Sequence, residues 1–144
     1  MSSGGPSLAE LPIPDDFTRL FREGAKGTLA ALLGKLEQVE PGTEVVPGVA
    51  VVAAPGHTPG HLAVETASGG ERLLHIVDAA RDPVVHLQHP DWFFASDNWP
   101  AQAILTRRQL FDRAAEEGLL VQTYHFAFPG VGRVTKDGDG WLWE

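Results

Sequence analysis

The sequence predicts an α+β fold, and two observations predict it. Apolar residues recur at helical spacing near the N-terminus and again after Pro100. Between and after those stretches the chain turns valine-rich, in short apolar runs bounded by proline and glycine, which is the pattern of strands. At 144 residues it is about one domain's worth of chain. That length can bury roughly 68–70% of the unfolded surface without disulfide staples.

Residues 1–12 are rich in Ser, Gly and Pro and are expected to be disordered, with the domain running from 13 to 144. From Pro14, "PDDFTRLFREG" reads as a short helix: Asp15 or Asp16 starts it, Phe17, Leu20 and Phe21 share a face, and Gly24 stops it. "TLAALLGKLEQV" (28–39) reads as a second helix, with Leu29, Leu32, Leu33 and Leu36 at helical spacing. Gly34 inside it would cost ~1 kcal/mol relative to Ala. Residues 40–45 form a turn. "VPGVAVVAAP" (46–55) reads as a hairpin edge followed by a buried strand, 61–66 as a strand, 68–71 as a turn, and 72–80 as a largely apolar strand ending near Asp78. Residues 81–99 are irregular and unusually aromatic.

A long helix then starts at Pro100, tolerated in a first turn, with Asn98 or Asp97 as its cap. Ala101, Ile104, Leu105, Arg108, Phe111 and Ala115 make its expected face, and Gly118 ends it. Residues 119–126 read as a strand, "AFPGVG" as a loop, and 133–144 as a hairpin about Asp137–Gly140.

Composition excludes several functions. The chain has no cysteine, so it has no disulfide, thiolate nucleophile or Cys-based zinc site. That fits a reducing compartment. Its net charge is −8 and its eleven Lys and Arg are scattered, the densest spot being Arg107-Arg108. Nucleic acid and anionic lipid both need clustered cations, so neither is an expected partner. The N-terminus lacks a charged n-region followed by an apolar run, so no signal peptide is expected. No apolar run approaches the ~20 residues of a membrane span. The expectation is a cytoplasmic protein.

The chemistry sits in six histidines: 57, 61, 75, 86, 89 and 125. "APGHTPGH" (54–61) places two of them four apart among glycines and prolines, too much turn chemistry for a helix. His57 follows one strand, Asp78 ends another, and His125 lies near the end of a third. Strand-end side chains can converge on one point, and two imidazoles with a carboxylate suit zinc, manganese or iron. Each residue also has a structural reading. Asp78 can cap a turn, and His75 can sit on a solvent face or be satisfied in the core. His86 and His89 are expected on the surface. With Trp92 and Tyr124 they are also the candidates to line a pocket. Consecutive strand residues face opposite ways, which would turn Tyr124 away from His125.

"APGHTPGH", "LLHIVDAA" and "TYHFAFPG", in that order, resemble the C-terminal half of the metallo-β-lactamase superfamily, whose hydrolases include glyoxalase II and the N-acyl homoserine lactonases. The resemblance runs from about Leu29 to the chain end, and "HPDWFFASD" (89–97) is similar to the loop before the long helix of the larger hydrolases. It implies half of an αββα sandwich, with a mixed sheet and flanking helices. It also implies that His57 binds one metal, that Asp78 bridges two, and that His125 binds the second. His61 would brace the turn by a hydrogen bond, and Gly56 and Gly60 would hold it.

The family's upstream His-x-His-x-Asp-His motif is absent: no histidine precedes His57, so four of seven expected ligands are missing. The implied activity is hydrolysis of an ester, thioester, lactone or amide by metal-activated water. The chain would be a fragment or one part of a split enzyme acting on a small molecule, with at most one weakly held ion where the complete site holds two. It would pair with an N-terminal half or with itself. The alternative is a non-catalytic remnant acting by self-association or partner binding.

Overall fold

The computed structural model describes residues 15–144, the side chains of residues 17 and 18 excepted. The disorder expected for 1–12, the start at Pro14 and the placing of Phe17 lie outside these. The two helices expected near the N-terminus are one, α1 (Asp15–Leu32). Gly24 does not stop it, because a lone glycine costs only ~1 kcal/mol in a helix. Gly34 ends the region instead, at φ 82°, in a turn where Lys35 N donates to Leu32 O at 2.8 Å. Every described side chain of α1 is exposed.

The strands are β1 (Glu44–Val46), β2 (Val49–Ala53), β3 (Leu62–Ser68), β4 (Glu71–His75), β5 (Leu120–Gln122), β6 (Val131–Gly132), β7 (Val134–Asp137) and β8 (Gly140–Trp143). The first six form one sheet in sequence order, and β7 and β8 a separate hairpin about residues 137–140. The sheet is mixed: β4 and β5 run parallel and the other neighbours antiparallel. Parallel neighbours need a long crossover, and this one contains the second helix, α2 (Pro100–Glu117).

Cross-strand partners share a face. On one face Leu74 lies between Glu65 and Val121, and Ala63, Leu74, Ile76 and Val121 are fully buried with Leu110, Phe111 and Ala114 of α2. On the other face Val49, Thr66, Leu73 and Leu120 form one row across four strands, and all four remain half-buried.

The α2 face differs from the expected one. Ala103, Thr106, Arg107, Leu110, Phe111 and Ala114 are buried, whereas Ala101 and Leu105 are exposed. Asn98 and Asp97 do not cap it. The N-cap is Trp99, without a side-chain hydrogen bond, and Pro100 at the start leaves one fewer amide to satisfy. Gly118 ends it as expected, left-handed at φ 61°, with Leu119 N donating to Ala114 O at 2.9 Å. The strands expected to run through 80 and 126 stop earlier, at His75 and Gln122. The irregular stretch 81–99 contains a single π-helical turn, Val84–Gln88. Among the described residues no helix is long and apolar enough to cross a membrane.

Candidate functional site

Because β4 and β5 stop short, Asp78 and His125 stand on turns rather than strands, and each can swing toward the other. Val77 sits at φ 51°, a conformation that is strained for a β-branched residue. It turns the chain immediately before Asp78. The Asp78 Oδ1 atom then accepts three side-chain donors: His125 Nε2 at 2.9 Å, Tyr124 Oη at 2.9 Å and Arg81 Nη2 at 3.0 Å. The expectation that Tyr124 faces away from His125 is corrected: residues 123–127 are a turn, so strand alternation does not apply, and both side chains reach one oxygen. Burial alone would push the Asp78 carboxyl up. The hydrogen bonds from His125 and Tyr124, with the positive charge of Arg81 close by, outweigh it and hold the group down at about 2.

His57 approaches from the 54–61 turn. Its Nδ1 donates to Asp97 Oδ1 at 3.1 Å, which leaves Nε2 as the acceptor, and Arg81 Nη2 donates to it at 3.2 Å. The turn is tied to the start of α2: Trp99 N donates to Gly56 O at 2.9 Å, Asn98 N to His57 O at 3.1 Å, and Thr106 Oγ1 to Pro55 O at 2.5 Å. Gly56 lies at φ 136°, and a Cβ there would collide with the Ala103 backbone. At Gly60 a Cβ would meet open space, so only the first of the two turn glycines is sterically required. His61 Nδ1 donates to Ala54 O at 2.8 Å, and its Nε2 accepts from Asp78 N at 3.2 Å. The ring thereby links the turn to the Asp78 backbone, and burial pushes its pKa down.

His75, Nδ1 to Gln122 O at 3.1 Å, ties β4 to β5. His86 is not on the surface as expected but buried, 1% exposed. Its Nδ1 accepts from Arg81 N at 2.8 Å and Asp82 N at 3.3 Å, and its ring packs edge-on to Phe94 at 4.5 Å. The π-helical turn carries it inward, which an irregular-loop reading does not anticipate. His89 and Trp92 stack at 4.3 Å on the surface, and neither side chain hydrogen-bonds to the His57–Asp78–His125 cluster.

Sequence reasoning missed Arg81, Asp97 and Arg107. Asp97, 3% exposed, reads in the sequence as one of two candidate helix caps, with Asn98. It orients His57, and its Oδ2 accepts from Phe94 N at 3.1 Å. Arg107 is 2% exposed and donates to Ala79 O, Pro90 O and Trp92 O at 2.8, 3.1 and 2.7 Å, with Nη2 3.8 Å from Asp97 Oδ2. It pins both ends of the segment that carries Arg81 and His86. The available signal was its place at helical spacing with Ala103, Leu110 and Ala114.

The donor chemistry suits a divalent metal. A histidine whose Nδ1 donates to a carboxylate presents Nε2 as a ligand, and His57 does so. The disposition does not suit one: among the described residues no three His, Cys, Asp or Glu side chains are placed to hold an ion. Arg81 stands between His57 and Asp78, and His125 is hydrogen-bonded directly to Asp78.

No protein-family model matches the sequence, and no curated protein does. Solved structures do. AidC, a dizinc quorum-quenching lactonase in complex with a homoserine product, superposes with a TM-score of 0.86 at 26% identity over 96% of this chain. Hydrolase AbOPH of the beta-lactamase superfamily gives 0.76 at 26% over 94%. A probable metal-dependent hydrolase from Staphylococcus aureus shares the fold at 0.63 and 24% over 77%. The matches cover only 46%, 48% and 40% of those chains. The chain has the metallo-β-lactamase fold, as its C-terminal half.

Proposed function

We propose that this chain is the C-terminal half of a metal-dependent hydrolase, a fragment or one part of a split enzyme, and that residues 13–144 form that partial domain. One observation carries the reading: His57, Asp78 and His125, from three separate turns, gather within two hydrogen bonds of one carboxylate oxygen. His57 would serve one ion, Asp78 would bridge, and His125 would serve the second, with the other ligands supplied by an N-terminal half. Zinc, manganese or iron bound there would supply Lewis acidity and a water of lowered pKa, toward ~7. The chain's own contribution is orientation. Asp97 fixes the His57 tautomer, His61 ties the turn to the Asp78 backbone, and Tyr124 offers a hydroxyl beside the carboxylate.

The reaction class is hydrolysis of a small-molecule ester, thioester, lactone or amide. Lactones come first, since AidC is a lactonase. The absence of cysteine supports a cytoplasmic setting. A second reading, a non-catalytic remnant acting by association, is favoured by the placement of Arg81 where a cation would stand.

Reconstitution separates the two. The corresponding N-terminal half of a structurally similar lactonase, carrying His-x-His-x-Asp-His, is added in trans with zinc. Lactone and ester turnover should rise well above that of the lone chain and should disappear with Asp78→Ala. Robust zinc-dependent turnover by the lone chain, or reconstituted turnover that survives Asp78→Ala, overturns the reading.

A further inference from the structure

We propose that the Arg81 guanidinium is a resident cation in the metal position of this chain, so that a divalent ion enters only by displacing it. The proposal rests on the reading that His57 and Asp78 face a metal centre.

A single Arg81 atom, Nη2, donates both to His57 Nε2 at 3.2 Å and to Asp78 Oδ1 at 3.0 Å. These are the two atoms that would ligate an ion placed between them. A salt bridge to Asp78 alone would not require the second contact. The tautomer agrees with it: Asp97 takes the Nδ1 proton of His57 as a hydrogen bond, so Nε2 has a lone pair to offer. Arginine is the residue suited to the role, because it keeps its charge when partly desolvated. A guanidinium and a divalent ion at the same spot repel, so occupancy by one excludes the other.

The position of Arg81 is built rather than incidental. Its backbone N–H is fixed by the buried His86 Nδ1 at 2.8 Å. Its guanidinium carbon lies 5.7 Å from the Phe94 ring centroid, within cation–π range. Arg107 anchors the segment on both sides through Ala79 O and Pro90 O. Yet Arg81 Nε is buried without a hydrogen-bond partner. The head group is therefore held at its tip and can leave by breaking the two Nη2 contacts, with Nε gaining water as it goes. That combination, a fixed backbone and a detachable tip, is what a displaceable stand-in needs.

Zinc binding by equilibrium dialysis, on the parent chain, Arg81→Met, Arg81→Lys, Asp78→Ala and the Arg81→Met/Asp78→Ala pair, tests this. Met keeps an unbranched stem against Phe94 and removes the charge. Arg81→Met should bind zinc about tenfold tighter or more, the range seen when groups around a metal site are altered. Arg81→Lys should stay close to the parent, and Asp78→Ala should abolish binding in either background. Equal zinc affinity in parent and Arg81→Met, both lost with Asp78→Ala, overturns the resident-cation role and leaves the site reading standing. Binding indifferent to Asp78→Ala overturns both.

A measurement on the parent guards against a variant that fails to fold. In a zinc titration followed by NMR, the Arg81 side-chain N–H signals should shift at the same zinc concentration as the His57 ring. A His57 ring that saturates while the Arg81 signals stay still overturns the proposal.

Discussion

His86 shows how a single buried group couples the site to pH. Burial, with the charges of Arg107 and Arg81 nearby, pushes its pKa down from 6.5 to about 3. The folded chain keeps the ring neutral because Nδ1 must accept two backbone N–H groups, whereas the unfolded chain protonates it below ~6.5. The unfolded state then binds the extra proton, so stability is full above 6.5 and falls as pH drops toward 3, by about 1.4 kcal/mol per pH unit from this group. Urea midpoints between pH 7 and 4 should show the slope. His86→Asn, whose amide oxygen can accept the same two donors, should flatten it, and an unchanged slope would remove His86 as the cause. Arg107 acts on the same segment in the opposite way. Burial lowers its pKa only to about 10, so it remains a cation at neutral pH, spread over three carbonyls.

At the scale of elements, the 54–61 turn and the start of α2 are one unit. Gly56→Ala would force a side chain into a left-handed backbone position and against Ala103, so it should cost about 3 kcal/mol or more. Gly60→Ala should stay within about 0.5 kcal/mol, the range of an unremarkable surface change. Urea unfolding separates them, and amide exchange over residues 101–106 should quicken only in Gly56→Ala. Equal costs would mean that the packing of the turn against α2 is not what Gly56 serves.

The same unit shows what sequence patterns can and cannot carry. The antiparallel strands were legible because valine runs bounded by glycine and proline have few other uses, and Gly118 was legible as a helix stop. The buried face of α2 was not. It includes Arg107 and Thr106, polar residues that become internal only because carbonyls of Pro55, Ala79, Pro90 and Trp92 arrive from distant loops. Likewise His57, Asp78 and His125 stood out by their turns, while Arg81 and Asp97 acquire their roles from tertiary partners that no local spacing displays.

Across the whole molecule the sheet is one-sided. α2 covers the face with Leu74 and Val121, while the row of Val49, Thr66, Leu73 and Leu120 is only half-buried and α1 exposes Leu20, Leu29 and Leu32. Contiguous apolar surface beyond a few hundred Å² is rare on monomers. The isolated chain is therefore expected to self-associate through that face. Light scattering should give a mass above one chain at tens of micromolar, and Leu73→Glu should lower it. A clean monomer for the parent would rule this out.

The parallel β4–β5 pair also sets an order of events in time. β2, β3 and β4 join through short links, but β5 reaches β4 only after residues 76–119 have been laid down, and contacts distant in sequence form late because loop closure precedes their reward. Asp78, Arg81, Asp97 and Arg107 all lie within that late segment. Refolding should therefore pass through a stage in which the meander exists and the cluster does not. In pulse-labelled hydrogen exchange, the Ile76 amide, bonded to Gln122 O at 3.0 Å, should gain protection after the β2–β3 amides. Simultaneous protection would mean that the crossover nucleates with the hairpins. A chain caught early in refolding would thus be unable to discriminate between arginine and metal, because neither would yet have an address.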